Sequence, residues 1–336
     1  FMYFLLNVWK QRPEASTIGS IGYMLSGFFI ARVFAGHLPM IYAYPWMPLV
    51  LASFELAHER DSAKYAMLTA ISLSMQILSG GFVIFLYTSL LLGIYAAHKW
   101  LVRIVSHHDN PMTVLKQVGQ IGKWLVMTAI FTLGISAIKI MPVVDEMVYA
   151  GRGTFLKTST VLEGYVSSRN QLLELFTYKG HGAEAYPYYD FPRWGVWDWW
   201  EYWSYVGLIT VILAVLGISR VRRNPTPAFL VLSTVISVFL ARGMFIAPLV
   251  QLMPFFALLR IPSRFLVITQ LTIPALATIT VTAIEEFIED RAKRNRYTAN
   301  LQLGHVGKLV AYGLALVLIM DLSPNATSLI WTVGGE

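Results

Sequence analysis

The sequence contains no cysteine, and charged residues make up only 13% of its 336 positions. The first absence excludes disulfides and thiolate metal sites. The second, set against 56% hydrophobic residues and a mean hydropathy of +0.57, excludes an ordinary soluble domain. There is no P-loop, Rossmann glycine pattern, nucleophile elbow or zinc-binding helix motif. No repeat of fixed period and no signal-peptide pattern stands out. The chain opens at Phe1 inside an apolar stretch, which predicts further residues upstream.

What the chain does have is a series of apolar runs, such as Gly81–Ala97, that are continuous rather than alternating. In a bilayer only helices and closed barrels satisfy the backbone, and unbroken apolar runs point to helices. The expected fold is all-α: a single polytopic transmembrane helical bundle over residues 1–336. Hydropathy places about ten membrane segments, at 1–9, 16–34, 38–57, 63–79, 81–102, 121–141, 204–219, 226–241, 262–284 and 309–330. Residues 142–203 then form a large extracytoplasmic loop. The piece 244–260, interrupted by Pro248 and Pro254, reads as a partial or re-entrant helix.

The net charge of +7 reads as loop lysine and arginine, not as a nucleic-acid surface. With Lys10 and Arg12 placed inside, the inner loops are 10–15, 58–64, 98–123, 220–225 and 285–308. They hold sixteen of the 26 lysines and arginines, including the runs "SRVRRNP" and "EDRAKRNRY". Arg32, His37, Asp145, Glu146, Arg152, Arg260 and Arg264 all fall on the outer side. An integral multi-pass protein of a prokaryotic plasma membrane, working on its extracytoplasmic face, is the expectation.

Within "LLRIPSRFLV" (258–267) two arginines flank the start of an apolar run. Ile261 before Pro262 disfavours helix, Pro262 suits a first helical position, and Ser263 is a candidate cap. A helix start carries positive partial charge, which makes Arg264 unfavourable there unless an anion is present. Arg260 and Arg264 with free backbone N–H groups would hold a phosphate. The alternative is that both arginines snorkel to headgroups or pair with an acid of the long loop.

Asp145 and Glu146 follow Met141-Pro142 and suit a first helical turn, or orient an acceptor, or pair with an arginine. The stretch "YPYYDFPRWGVWDWWEYWSY" is an interfacial aromatic belt or a stacking surface, with Trp194, Trp197 and Trp199 contacting sugar or lipid. Asp190, Asp198 and Glu201 would take hydroxyls there, and the composition also suits contact with other membrane subunits. Arg32 and His37 suggest a polar cavity or a structural turn. His107-His108-Asp109 lies on the inner side, away from these residues, so no metal and no cofactor is expected.

In order along the chain, "GYMLSGFFIARVFAGHLPMIYAYPWMPLVLASFELA", "QILSGGFVIFLYTSLLLGIY", "IKIMPVVDEMVYAGR", "YWSYVGLITVILAVLGI" and "FFALLRIPSRF" resemble segments of YfhO-like polytopic membrane proteins of the GT-C glycosyltransferase class. The likeness covers most of 16–330. It implies a GT-C-like bundle that transfers a sugar from a polyprenyl-phosphate donor on the outer face. Arg260 and Arg264 would bind the donor phosphate, and Arg32, His37, Asp145, Glu146 and Arg152 would line the cavity. The class places its catalytic carboxylate in the first outer loop, which this chain does not show, so the catalytic residue is left unassigned. The alternative is a non-catalytic structural subunit on the same scaffold. A transporter or lipid-handling protein is the third reading, and it requires paired interrupted helices.

Overall fold

The computed structural model describes residues 1–106, 111–149, 175, 201, 203–221, 225–244, 261–294 and 304–333. Among these the regular structure is entirely helical. The first half holds α1 (Met2–Val8), α2 (Pro13–Met24), α3 (Gly27–Phe34), α4 (Leu38–Ala43), α5 (Trp46–Glu59), α6 (Ala63–Leu78), α7 (Phe82–Ser106) and α8 (Pro111–Tyr149). The second half holds α9 (Leu208–Gly217), α10 (Pro225–Ala241), α11 (Val267–Arg294) and α12 (Gly304–Val333), with a 3₁₀ turn at Pro262–Leu266 ahead of α11.

Among the described residues four stretches are long and apolar enough to cross a membrane: Pro13–Phe34, Phe82–Ser106, Val114–Asp145 and Pro262–Arg291. Leu208–Arg220 and Pro225–Ala241 are shorter apolar helices. This is the make-up of a membrane protein. Val126, Ile130, Leu133, Ile138 and Met141 of α8 all face outward. Such a face suits lipid chains, not water.

Two helices carry long stretches buried on every face, and each forms the middle of a packing group. All of Met47–His58 in α5 is buried, against α1, α6, α7 and α8. The run Phe265–Val281 is buried without interruption, and α11 packs on α2, α9, α10 and α12. The α1–α2 contact and α7 join the two groups. Rings cement that junction: Trp9 and Tyr95 each meet Phe229 of α10, at 6.3 and 4.7 Å.

Several expected boundaries shift. The segment 16–34 is two helices, because Ser26 is extended (φ −61°, ψ 144°). A passing strand of chain explains the break: Gly27 N donates to Tyr205 O at 2.7 Å. Tyr44 stacks on Tyr23 at 4.3 Å, and its hydroxyl lies 3.0 Å from Ser26 Oγ. The segment 38–57 is also divided, into α4 and α5, at Tyr44-Pro45. Residues 142–149, assigned to the outer loop, instead continue α8 with Pro142 inside the helix. Asp145 and Glu146 therefore lie in the last turns of a helix, not the first. Ser263 caps nothing: Ile261 holds the cap position, and Ser263 Oγ is buried without a hydrogen-bond partner. The partial helix at 244–260, apart from Met244, and most of the loop to 203 lie outside the described residues.

Candidate functional site

Polar side chains gather at the two ends of the bundle. At one end Arg12 meets Glu289, Glu14 meets Lys308, Lys99 meets Glu55 and Lys123 meets Asp61. All of these residues except Glu55, which belongs to the segment 38–57, come from the loops assigned to the inner side. At the other end Arg32, Glu201 and Arg264 come together from three separate parts of the chain.

Each of the three is set by its backbone. Arg32 lies on α3, one turn beyond Phe28, and its guanidinium sits 4.7 Å over that ring. The helix break at Ser26 aims α3 toward the segment 203–207, and close approach there needs glycine. A Cβ on Gly27 would lie 2.5 Å from Trp203 Cδ1 and 2.7 Å from Tyr205 N. Glu201 precedes that segment, which Gln270 Nε2 also holds by donating to Ser204 O at 3.0 Å. Beyond it Asp321 accepts from Ile209 N and Tyr205 Oη, fixing the start of α9. Arg264 sits in the 3₁₀ turn, whose Phe265 meets Tyr87 of α7 edge-on at 4.7 Å. Ser237 Oγ donates to Phe265 O at 2.7 Å and holds the turn against α10.

The geometry is unequal. Arg264 presents a two-pronged fork to Glu201, with Nε donating to Oε2 at 2.7 Å and Nη2 to Oε1 at 2.5 Å. That is the strongest carboxylate arrangement. Arg32 Nη2 is 2.8 Å from Oε2, close enough for charge attraction but not aligned as a hydrogen bond. Arg32 Nε has no hydrogen-bond partner, although the side chain is only 1% exposed. Arg32 Nη1 lies 3.2 Å from His37 Nδ1. A guanidinium only donates, so Nδ1 accepts and carries no proton. The Glu201 carboxyl is pushed up by burial, but the hydrogen bonds of Arg264 and the charges of Arg32 and Arg264 outweigh this and bring it down to about 2. A carboxylate that acidic is a poor general base at neutral pH. It serves as a counter-ion.

Of the residues singled out in the sequence, the structure joins Arg32, His37 and Arg264. Asp145 is exposed on α8. Arg152, Arg260, Trp194, Trp197 and Trp199, and the side chain of Glu146, lie outside the described residues. Pairing of an arginine with an acid of the long loop, the competing reading for Arg264, is what Glu201 does. Glu201 was visible only as one acid among the aromatics, and Tyr87 gave no signal at all inside an apolar run. Among the described residues no group of His, Asp and Glu could hold a metal ion. No family model, curated protein or solved structure matches the chain.

Proposed function

We infer that the chain is an integral membrane glycosyltransferase with the GT-C-like plan of about ten membrane segments. It moves a sugar from a polyprenyl-phosphate donor to an acceptor at the extracytoplasmic face. One observation carries this reading beyond the resemblance: two arginines share one carboxylate in a buried group at the end opposite the basic loops. A buried guanidinium with an unpartnered Nε, as in Arg32, is costly unless an anion completes it. The donor phosphate is that anion, bound by Arg264 in the turn before the helix and by Arg32, with Arg260 as the second arginine of the sequence pair. The reconstituted protein should transfer sugar from a polyprenyl-phosphate donor. Arg260→Ala should abolish transfer while leaving the folded yield nearly unchanged. Full turnover in that variant defeats the assignment.

The breaks at Ser26 and at Tyr44-Pro45 favour a second reading, a carrier of phosphate-bearing lipids. Interrupted helices beside a charged group are the usual build of a carrier site. Movement of a lipid phosphate across sealed vesicles, with no sugar transferred, would select it.

A further inference from the structure

We propose that Glu201 is an internal counter-anion that holds the place of a phosphate monoester, which displaces it to lie between Arg32 and Arg264. The idea rests on the reading of this end as a phosphate site and says how that site is kept when empty of ligand.

Three observations lead to it. First, Glu201 mimics the ligand: carboxylate and phosphate are recognised by the same arginine fork. A carboxylate has only two oxygens, and Arg264 takes both. Arg32 is left with a misaligned contact and an unpartnered Nε at 1% exposure. A phosphate monoester presents three oxygens and can answer both guanidinia. Second, Ser263 Oγ, in the same turn as Arg264, is another buried donor without a partner. Third, displacement frees charge: taken by themselves, the three side chains carry one net positive charge with Glu201 in place and two with it swung away. A phosphate monoester carries about −1.5 to −2 at neutral pH. A phosphodiester, with a single charge, needs no such displacement.

The displacement requires only the side chain. Residues 203–207 stay pinned through Tyr205 O and Ser204 O, while the Glu201 side chain turns about its own torsions. In the proposed transfer a monoester is the species left on the lipid once the sugar has gone. Holding it strongly favours the departing phosphate, and return of Glu201 then drives its release.

The experiment uses the full chain in phosphatidylcholine nanodiscs. Binding of phosphatidic acid, a lipid monoester, is compared with that of phosphatidylglycerol, a lipid diester, and with inorganic phosphate. Wild type should prefer phosphatidic acid to phosphatidylglycerol. Arg32→Gln should weaken phosphatidic acid binding about tenfold or more. Glu201→Gln should strengthen it by roughly tenfold, because the competitor is gone. If neither Arg32→Gln nor Arg264→Gln changes that affinity, the phosphate reading of the site fails and the inference fails with it. If both weaken binding but Glu201→Gln weakens it too, or changes nothing, Glu201 is a fixed structural partner and the inference alone is overturned. Should Glu201→Gln not fold, Glu201→Asp provides the same test. Its shorter carboxylate cannot reach both arginines, so affinity should still rise, and an unchanged or lower value overturns the proposal. Stabilisation by inorganic phosphate as large as by phosphatidic acid identifies free phosphate as the source. A response to the lipid alone identifies a headgroup.

Discussion

The two ends of the bundle hold similar residue types in opposite arrangements. At the Arg12 end no carboxylate among the described residues is shared by two cations: Arg12 meets Glu289 at 2.5 and 2.8 Å and the buried Glu285 at 3.8 Å, Lys308 meets Glu14, and Lys99 meets Glu55. Most of these groups keep some exposure, and each pair ties segments far apart in sequence. At the Arg264 end two cations share one carboxylate, and Arg32 and Glu201 are both almost fully buried. Paired, partly wet charges work as staples of small energy. A buried guanidinium with an unpartnered Nε, as in Arg32, is poorly explained by stability, since its desolvation is unfavourable. On the proposed reading, the difference separates an end that is fastened from one that is prepared for a ligand.

The largest effect that tests this contrast is Arg264→Ala. It leaves Glu201 with only the misaligned Arg32 and should cost about 3 kcal/mol, read from thermal unfolding in detergent. Acid should act at the same place. The folded Glu201 carboxyl titrates below its ordinary range of about 4.3, so its contribution is complete above that value. It should be lost as pH falls from about 4.3 toward 2, and Glu201→Gln should flatten that part of the stability–pH curve. Gly27→Ala should cost about 1–3 kcal/mol, because its Cβ meets the backbone of Tyr205 and the ring of Trp203. At the opposite end Arg12→Ala should cost under about 1 kcal/mol, since that side chain is partly exposed. The smallest change sharpens the comparison most. Arg32→Met, which removes the surplus cation and keeps an apolar filling, should be close to neutral in stability. A cost as large as that of Arg264→Ala would make Arg32 a structural partner of Glu201 and erase the distinction.

Some of this was legible in the sequence. Continuous apolar runs identified helices, and the basic loops grouped the helix ends that meet: Arg12 with Glu289, Lys123 with Asp61. The arginines and His37 of the site stood out because charge is rare in so apolar a chain. Where the reading went astray, a tertiary contact had overridden a local signal. Apolarity places the membrane segment at 121–141 and the outer loop from 142, yet α8 continues through Pro142 to Tyr149. Residues 16–34 carried no breaker strong enough to divide them, and the division depends on Tyr205 accepting from Gly27 N.

The sequence by itself determined the class of solvent and the class of fold. Side-chain transfer energies summed over a run of residues need no knowledge of neighbours, so an apolar run declares itself a membrane helix wherever it packs. Only the tertiary structure decided which carboxylate serves Arg32 and Arg264. Glu201 is separated from Arg264 by 63 positions along the chain. Pairing at that distance is fixed by how α3, the segment before α9 and the turn before α11 are folded against one another. No periodicity or local motif encodes that meeting.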